Sequence, residues 1–202
     1  MFNVACSLFG VHSEENPKYE VLQKTEAVEV RRYSSYLVAK TSVKGEFKEA
    51  QSQAFRILAG YIFGANQKKD KVSMTSPVFQ SSGESGSEKI SMTAPVMQSL
   101  SGDEWTMSFM MPSKYQLADL PSPEDKRIQF AEVPPKIFAV IQFSGLGRKS
   151  QIDEKILELE GWLRSQPKWK AEAAPVYAGY DPPWTLPPFR RNEVMIEVVS
   201  ID

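Results

Sequence analysis

Two stretches decide how this chain folds: YLVAKTSVKG at residues 36–45 and KIFAVIQFSG at residues 136–145. Laid over one another at an offset of 100, Leu37 meets Ile137, Ala39 meets Ala139, Val43 meets Phe143 and Gly45 meets Gly145. Each is rich in β-branched and aromatic residues and ends at a glycine, the pattern of a strand entering a turn. Each is followed by a helical segment, FKEAQSQAFRILAGYIF (47–63) and SQIDEKILELEGWLRS (150–165). A repeat of this length predicts two halves related by a pseudo-two-fold axis, each laying one helix on antiparallel strands.

Working outward, strands are expected at Tyr19–Lys24 and Val28–Tyr33 before the first helix. Three more are expected between the halves, at Val72–Phe79, Ile90–Gln98 and Trp105–Met111. Arg127–Val133, Pro175–Tyr180 and Val194–Val199 complete the second half, and Pro112, Pro121, Pro123, Pro134 and Pro135 mark the middle as loop. The fold class this predicts is α+β: a distorted antiparallel β-barrel with two flanking helices and a pseudo-two-fold repeat. Residues 1–17 read as an N-terminal tail and residues 18–202 as one domain, with pseudo-repeats at about 18–111 and 127–200.

A shorter duplication lies inside the first one. KVSMTSPVFQS (71–81) and KISMTAPVMQS (89–99) flank a Gly/Ser/Glu tether. Alternation puts Val72, Met74 and Val78 on one face of the first copy and Ile90, Met92 and Val96 on one face of the second. The pair reads as a long hairpin helping to close the sheet, with Pro77 and Pro95 marking an edge or bend. The other reading gives its methionines a direct ligand role.

Composition bounds the function. The chain has 202 residues, 42% hydrophobic and 24% charged, the balance of a globular domain able to bury a core. Its net charge is −1 with no basic block, which argues against a nucleic-acid binder. The one cysteine is Cys6 and the one histidine His12, so an internal disulfide and a multi-Cys/His zinc site are excluded. No run of 18 apolar residues is present, so no membrane-spanning helix is expected. The opening MFNVACSLFGV lacks a basic flank and a full apolar stretch. A cytoplasmic location is therefore expected, or a plastid or secreted one if a targeting segment has been removed.

Catalytic patterns are sparse. A Ser–His or Cys–His pair would depend on His12 in the tail. GLGRKS at 145–150 lacks the third glycine of a phosphate loop, and Glu158 and Glu160 lie on an ordinary solvated helix. The expectation is that the chain is not an enzyme.

The two helices differ in a way that points to a site. On the second, Ile152, Ile156, Leu159 and Leu163 form one apolar stripe, with Glu154, Glu158, Gly161 and Arg164 opposite. The first has its own stripe, Phe47, Ala50, Ala54, Leu58 and Tyr61, and carries Phe55, Ala59, Ile62 and Phe63 beside it, edged by Ser52 and Arg56. An apolar band wider than one packing face must be covered. A loop of the same chain, a flat apolar ligand or a partner protein would each do so.

The chain resembles the SOUL/haem-binding protein family. The resemblance is carried by YEVL, VEVRRY, LAGYIFGANQ, the doubled SMTSPV/SMTAPV, MSFMMPSKY, IFAVIQFSG and the terminal AGYDPPWTLPPFRRNEVMIEV, across about residues 18–200. It implies a distorted barrel of eight to nine strands and non-enzymatic binding of haem or related tetrapyrroles along a hydrophobic face of the first helix. Carried over here, that face is Ser52, Phe55, Arg56 and Ala59. The implied cofactor is non-covalent haem, and the implied partner a tetrapyrrole or other flat apolar small molecule.

Two departures accompany the resemblance. No histidine lies in the predicted folded region, so no axial metal ligand is singled out. The apolar WTLPPF also stands where some relatives carry a basic residue. The fold further resembles GyrI-like small-molecule-binding domains, which leaves a haem-independent binding module as the alternative and a cofactor-free hydrolase behind it.

Overall fold

The strand predicted at residues 36–45 forms as β3 (Tyr36–Lys44), and a helix follows it directly as α1 (Phe47–Ile62). The computed structural model describes residues 15–67, 88–91, 93–101, 103–181 and 184–201. Before β3 come β1 (Tyr19–Lys24) and β2 (Val28–Tyr33). After α1 come β4 (Asn66–Gln67), β5 (Val96–Ser101), β6 (Glu104–Met110), β7 (Ser122–Pro123) and β8 (Gln129–Val133). The second half holds β9 (Lys136–Phe143), α2 (Lys149–Arg164), β10 (Trp169–Ala171), β11 (Val176–Gly179) and β12 (Asn192–Ser200).

Nine strands form one antiparallel sheet in the order β1-β2-β9-β12-β11-β5-β6-β3-β8, with β10 added on β12. The sheet curls as a half-barrel, and β4 and β7 pair separately. Read from either end inward, β2-β9-β12-β11 mirrors β8-β3-β6-β5. The registers make the symmetry quantitative. Tyr36 faces Val133 and Tyr33 faces Lys136, so shifting one pair by 100 residues in opposite directions gives the other. One row across the sheet runs Thr41, Met107, Gln98, Tyr177, Val194, Ile141, and the pseudo-two-fold passes between Gln98 and Tyr177.

That row also places the helices. Met107 belongs to the core packed under α1, and Val194 and Ile141 to the core under α2. Residues paired directly across antiparallel strands share a face, so both helices lie on the same side of the sheet. Gly45 and Gly145 end the equivalent strands at φ +130° and +124°, a region that a Cβ disfavours. Counted from these two glycines, α2 starts two residues later than α1, so helix positions correspond at an offset of 102.

The strand expected at Ile90–Gln98 begins only at Val96. Pro95 has no N–H to give a ladder, and Thr93 instead bridges to Glu15 while its hydroxyl donates to the Met110 carbonyl. The hairpin expected between the two Ser-Met-Thr copies has no room along Val96–Gln98, because β6 takes one edge and β11 the other. The strand expected at Val72–Phe79, tether residues 81–87, Cys6 and His12 lie outside the described residues.

Candidate functional site

On α1, Ala50, Ala54, Ile57, Leu58, Tyr61 and Ile62 are buried against β3 and β6. Tyr61 is pinned by its hydroxyl, which donates to the Pro121 carbonyl at 3.0 Å. The surplus band is therefore narrower than the sequence predicts. Ile62 belongs to the core, because the chain returning at Ile90 covers it and the Ile90 N–H donates to the Ile62 carbonyl at 2.9 Å. Asn66 holds that return in place. Its amide donates to the carbonyls of Tyr61 and Glu88 at 2.8 Å each, and its carbonyl oxygen accepts from the Glu88 N–H at 2.9 Å.

What remains open is a stripe of Ser52, Phe55, Arg56, Ala59 and Phe63. Phe63 is 61% exposed and Phe55 36% exposed, its ring leaning on Phe109 with centroids 5.5 Å apart. Ala59 is half-buried, so its small side chain leaves the helix backbone approachable. Ser52 donates its hydroxyl to the Lys48 carbonyl at 2.9 Å, and Arg56 donates from Nε to the Ser52 carbonyl at 3.2 Å. The Arg56 side chain is thereby laid along the stripe, exposed and cationic. The four residues singled out from sequence do share one exposed face of α1, an apolar strip with the Arg56 guanidinium beside it and the Glu49 carboxylate one turn before Ser52.

The equivalent positions on α2 are Glu154, Leu157, Glu158 and Gly161. Leu157 is 65% exposed, so the apolar spot persists, but two exposed carboxylates replace the serine and the arginine. Arg164 also stands beside Gly161 on α2, and exposed Glu49 lies one turn before Ser52 on α1, so both faces carry mixed charge and differ in what touches the apolar spot.

Polar chemistry that the sequence did not reveal is buried on the opposite face of the sheet. Glu193 has no exposed surface and accepts bonds from Arg31 at 2.9 Å, from Arg191 Nη2 at 2.7 Å and from the Tyr180 hydroxyl at 2.7 Å. Arg31 also donates to Glu29 at 2.8 Å and stacks over Tyr19. Burial pushes the Tyr180 hydroxyl far above its ordinary range, and Glu193 adds to that. Burial works against the charge on Arg31, but the Glu193 carboxylate and the Tyr33 hydroxyl together outweigh it and raise its pKa. The cluster is closed and internally satisfied, so it reads as structural.

Two surface crevices are separate from the stripe. One of about 450 Å³ lies beside Tyr36, Met110, Met111 and Tyr115, and one of about 360 Å³ beside Lys44, Phe47, Trp105 and Lys149. Among the described residues no group of three or more His, Cys, Asp and Glu could hold a metal ion, and no helix is long and apolar enough to cross a membrane.

Comparison with known proteins bears on all of this. The family described as SOUL heme-binding protein matches residues 14–87 and 80–197. Heme-binding protein 1 of Xenopus tropicalis is 31% identical over 194 residues, covering 93% of each chain. Heme-binding protein 2 of Mus musculus is 30% identical over 169 residues, covering 83% of this chain and 76% of its own. Among solved structures, the C-terminal domain of EcmrR superposes with a TM-score of 0.60 at 8% identity, covering 91% of this chain and 99% of that one. A hydrolase from Listeria innocua does so at 0.55 and 9%, covering 88% and 94%. At such identities these two show a shared fold.

Proposed function

We propose a function from one premise: the chain belongs to the SOUL heme-binding protein family. It binds haem or a related tetrapyrrole without covalent attachment, as a carrier or buffer, and its role is binding rather than catalysis. The ligand lies along the open stripe of α1, in one domain spanning residues 18–202. The observation that carries this reading is the contrast between the helices. The symmetry gives both an exposed apolar spot, but on α1 it is Phe55 with Ser52 and Arg56 beside it and Phe63 beyond, whereas on α2 it is Leu157 alone between Glu154 and Glu158.

The residues present fit such a group. Phe55 and Phe63 would meet the flat ring, Ala59 would let it approach the helix, and Arg56 would pair with a propionate carboxylate. Ser52, at the stripe's edge, adds a hydroxyl. None of these side chains is an iron ligand, so the ring face and the acid groups carry recognition. A bound haem would bring its iron chemistry with it; the chain's part is to hold and shield one face.

Hemin titration of the purified protein, followed by its Soret band, tests this. Saturable binding with a shifted band is expected. A titration indistinguishable from hemin in buffer would overturn the proposal.

A further inference from the structure

The apolar stretch WTLPPF, residues 184–189, has no part in the stripe on α1. It lies in the loop from β11 to β12, at the end of the sheet where β9 stops opposite Asn192. The Gly145 N–H donates to the Pro187 carbonyl at 3.0 Å, and the Asn192 amide donates to the Gly145 carbonyl at 3.1 Å. Two loops are thereby stitched into one tip. Thr185 is buried and the backbone is extended at Leu186, so Trp184 and Leu186, on either side of Thr185, face outward. A 3-10 turn over Pro187–Phe189 then sets Phe189 on the side of Leu186, three residues before it. From the other loop comes Leu146, between the bonded Gly145 and the buried Gly147. Trp184, Leu186, Phe189 and Leu146 are between 44% and 60% exposed. The loop cannot fold over them, because Pro187 and Pro188 fix φ and Arg190 donates from Nε to the Thr185 carbonyl at 2.7 Å.

We propose that this tip docks the protein on a lipid bilayer, with Trp184, Leu186, Phe189 and Leu146 entering the headgroup region. Charge does not select the occupant. Arg148, Lys149, Arg190 and Arg191 stand against Asp153, Asp181 and Glu193, and Lys149–Asp153 and Arg191–Glu193 are paired at 2.7 Å each. Area does. Four side chains, each about half exposed, fall far short of the roughly 800 Å² per partner that a stable protein interface buries. None of the four lines either crevice, so they present a tip rather than a pocket for a small molecule. A bilayer surface needs only a few apolar side chains held outward, with an indole at the boundary between water and hydrocarbon. Because the loops are already pinned, little ordering accompanies insertion. The contact is shallow and apolar, so it is reversible and depends little on salt or on lipid charge. It holds whether or not the stripe on α1 takes a tetrapyrrole.

Cosedimentation with vesicles of phosphatidylcholine alone, and of phosphatidylcholine with phosphatidylglycerol, tests this. The parent protein should partition onto both at low and at high salt, and its tryptophan emission should shift to the blue as Trp184 leaves water. Leu186→Asp and Leu146→Asp should each lower the partition coefficient several-fold, with circular dichroism confirming the fold. Trp184→Phe should still bind but lose the blue shift. Leu157→Asp makes the same change at an exposed leucine of α2 and should bind like the parent. A parent that ignores both vesicles, a Leu186→Asp protein that binds like the parent, or a Trp184→Phe protein that keeps the blue shift would each sink the proposal. So would a Leu157→Asp protein that loses as much binding, or binding confined to the anionic vesicles at low salt. Association of the protein without lipid, abolished by Leu186→Asp, would make the tip a protein contact instead.

Discussion

The Arg31 guanidinium and the Glu193 carboxylate, 162 residues apart in sequence, meet at 2.9 Å with side chains 4% and 0% exposed. They join β2 to β12 across the strand between them. The equivalent positions in the other half hold Ala131 and Thr106, so the symmetry of the backbone is not a symmetry of chemistry.

Removing one partner of such a pair strands the other charge in the interior. Glu193→Ala should cost about 3–5 kcal/mol, leaving Arg31 with Glu29 and Arg191 facing Tyr180. Urea unfolding measures it. A loss below about 1 kcal/mol would mean that water reaches the cluster.

Alkaline pH should destabilise the protein through its tyrosines. Burial pushes Tyr36, Tyr115 and Tyr177 up to about 12, with Glu197, Glu88 and Asp181 respectively adding to it, and it pushes Tyr33, Tyr61 and Tyr180 higher still. An unfolded tyrosine ionises near pH 10. Between about pH 10 and 12 the folded chain therefore holds protons that the unfolded chain has released, and stability falls as pH rises. It is fully present below about 10. Tyrosinate absorbance and circular dichroism should change together in that window; ionisation of all seven tyrosines without unfolding would contradict the burial described here.

Phe55 and Leu58 are neighbours on α1 with different duties. Phe55→Asp should leave the fold intact and weaken hemin binding by about one to two decades, the loss of roughly 1.5–3 kcal/mol of apolar contact. Leu58 has no exposed surface, and Leu58→Ala should cost about 2–5 kcal/mol of stability. A Phe55→Asp protein that unfolds, or that titrates hemin like the parent, would move the ligand off this stripe.

Gly147 should tolerate alanine less well than Gly45. Both have positive φ, but a Cβ on Gly45 meets open space, whereas one on Gly147 runs into the Tyr177 hydroxyl and comes within 3.2 Å of Asn192 Oδ1. That hydroxyl donates to Asn192 Oδ1 at 2.7 Å and cannot swing away freely. Gly45→Ala should cost about 1–2 kcal/mol from backbone strain alone, and Gly147→Ala measurably more. Equal thermal shifts for the two would show that Tyr177 gives way.

Local patterns in the chain were enough for β1, β2, β3 and both helices, whose bounds fall within a residue or so of those read from alternation and glycine placement. The misses are non-local. Three-residue β10 is too short to show a period, and its Trp169 is fixed by an indole N–H bond to Gln23, 146 residues away. The helical pattern leaves Ile57 out of the stripe and Ile62 in the open band, yet both are buried; what covers Ile62 is Ile90, beyond that pattern's reach. Nothing in VEVRRY or RRNEV by itself says that Arg31 of the one is completed by Glu193 of the other. The stripe Ser52, Phe55, Arg56 and Ala59 was legible because one helix carries it all.

The exchange of strands between the halves sets the order in which the protein can be made. β2 and β3 are neighbours in sequence but not in the sheet; β2 pairs with β9, and β8 returns to pair with β3. During synthesis β3 has only β6 beside it until Val133 has left the ribosome, and β2 waits for Ile141. Long-range pairing of this kind is slow and leaves edges open meanwhile. With β5 also waiting for β11, the N-terminal half is thus a nascent chain with three strand edges unpaired until its twin arrives.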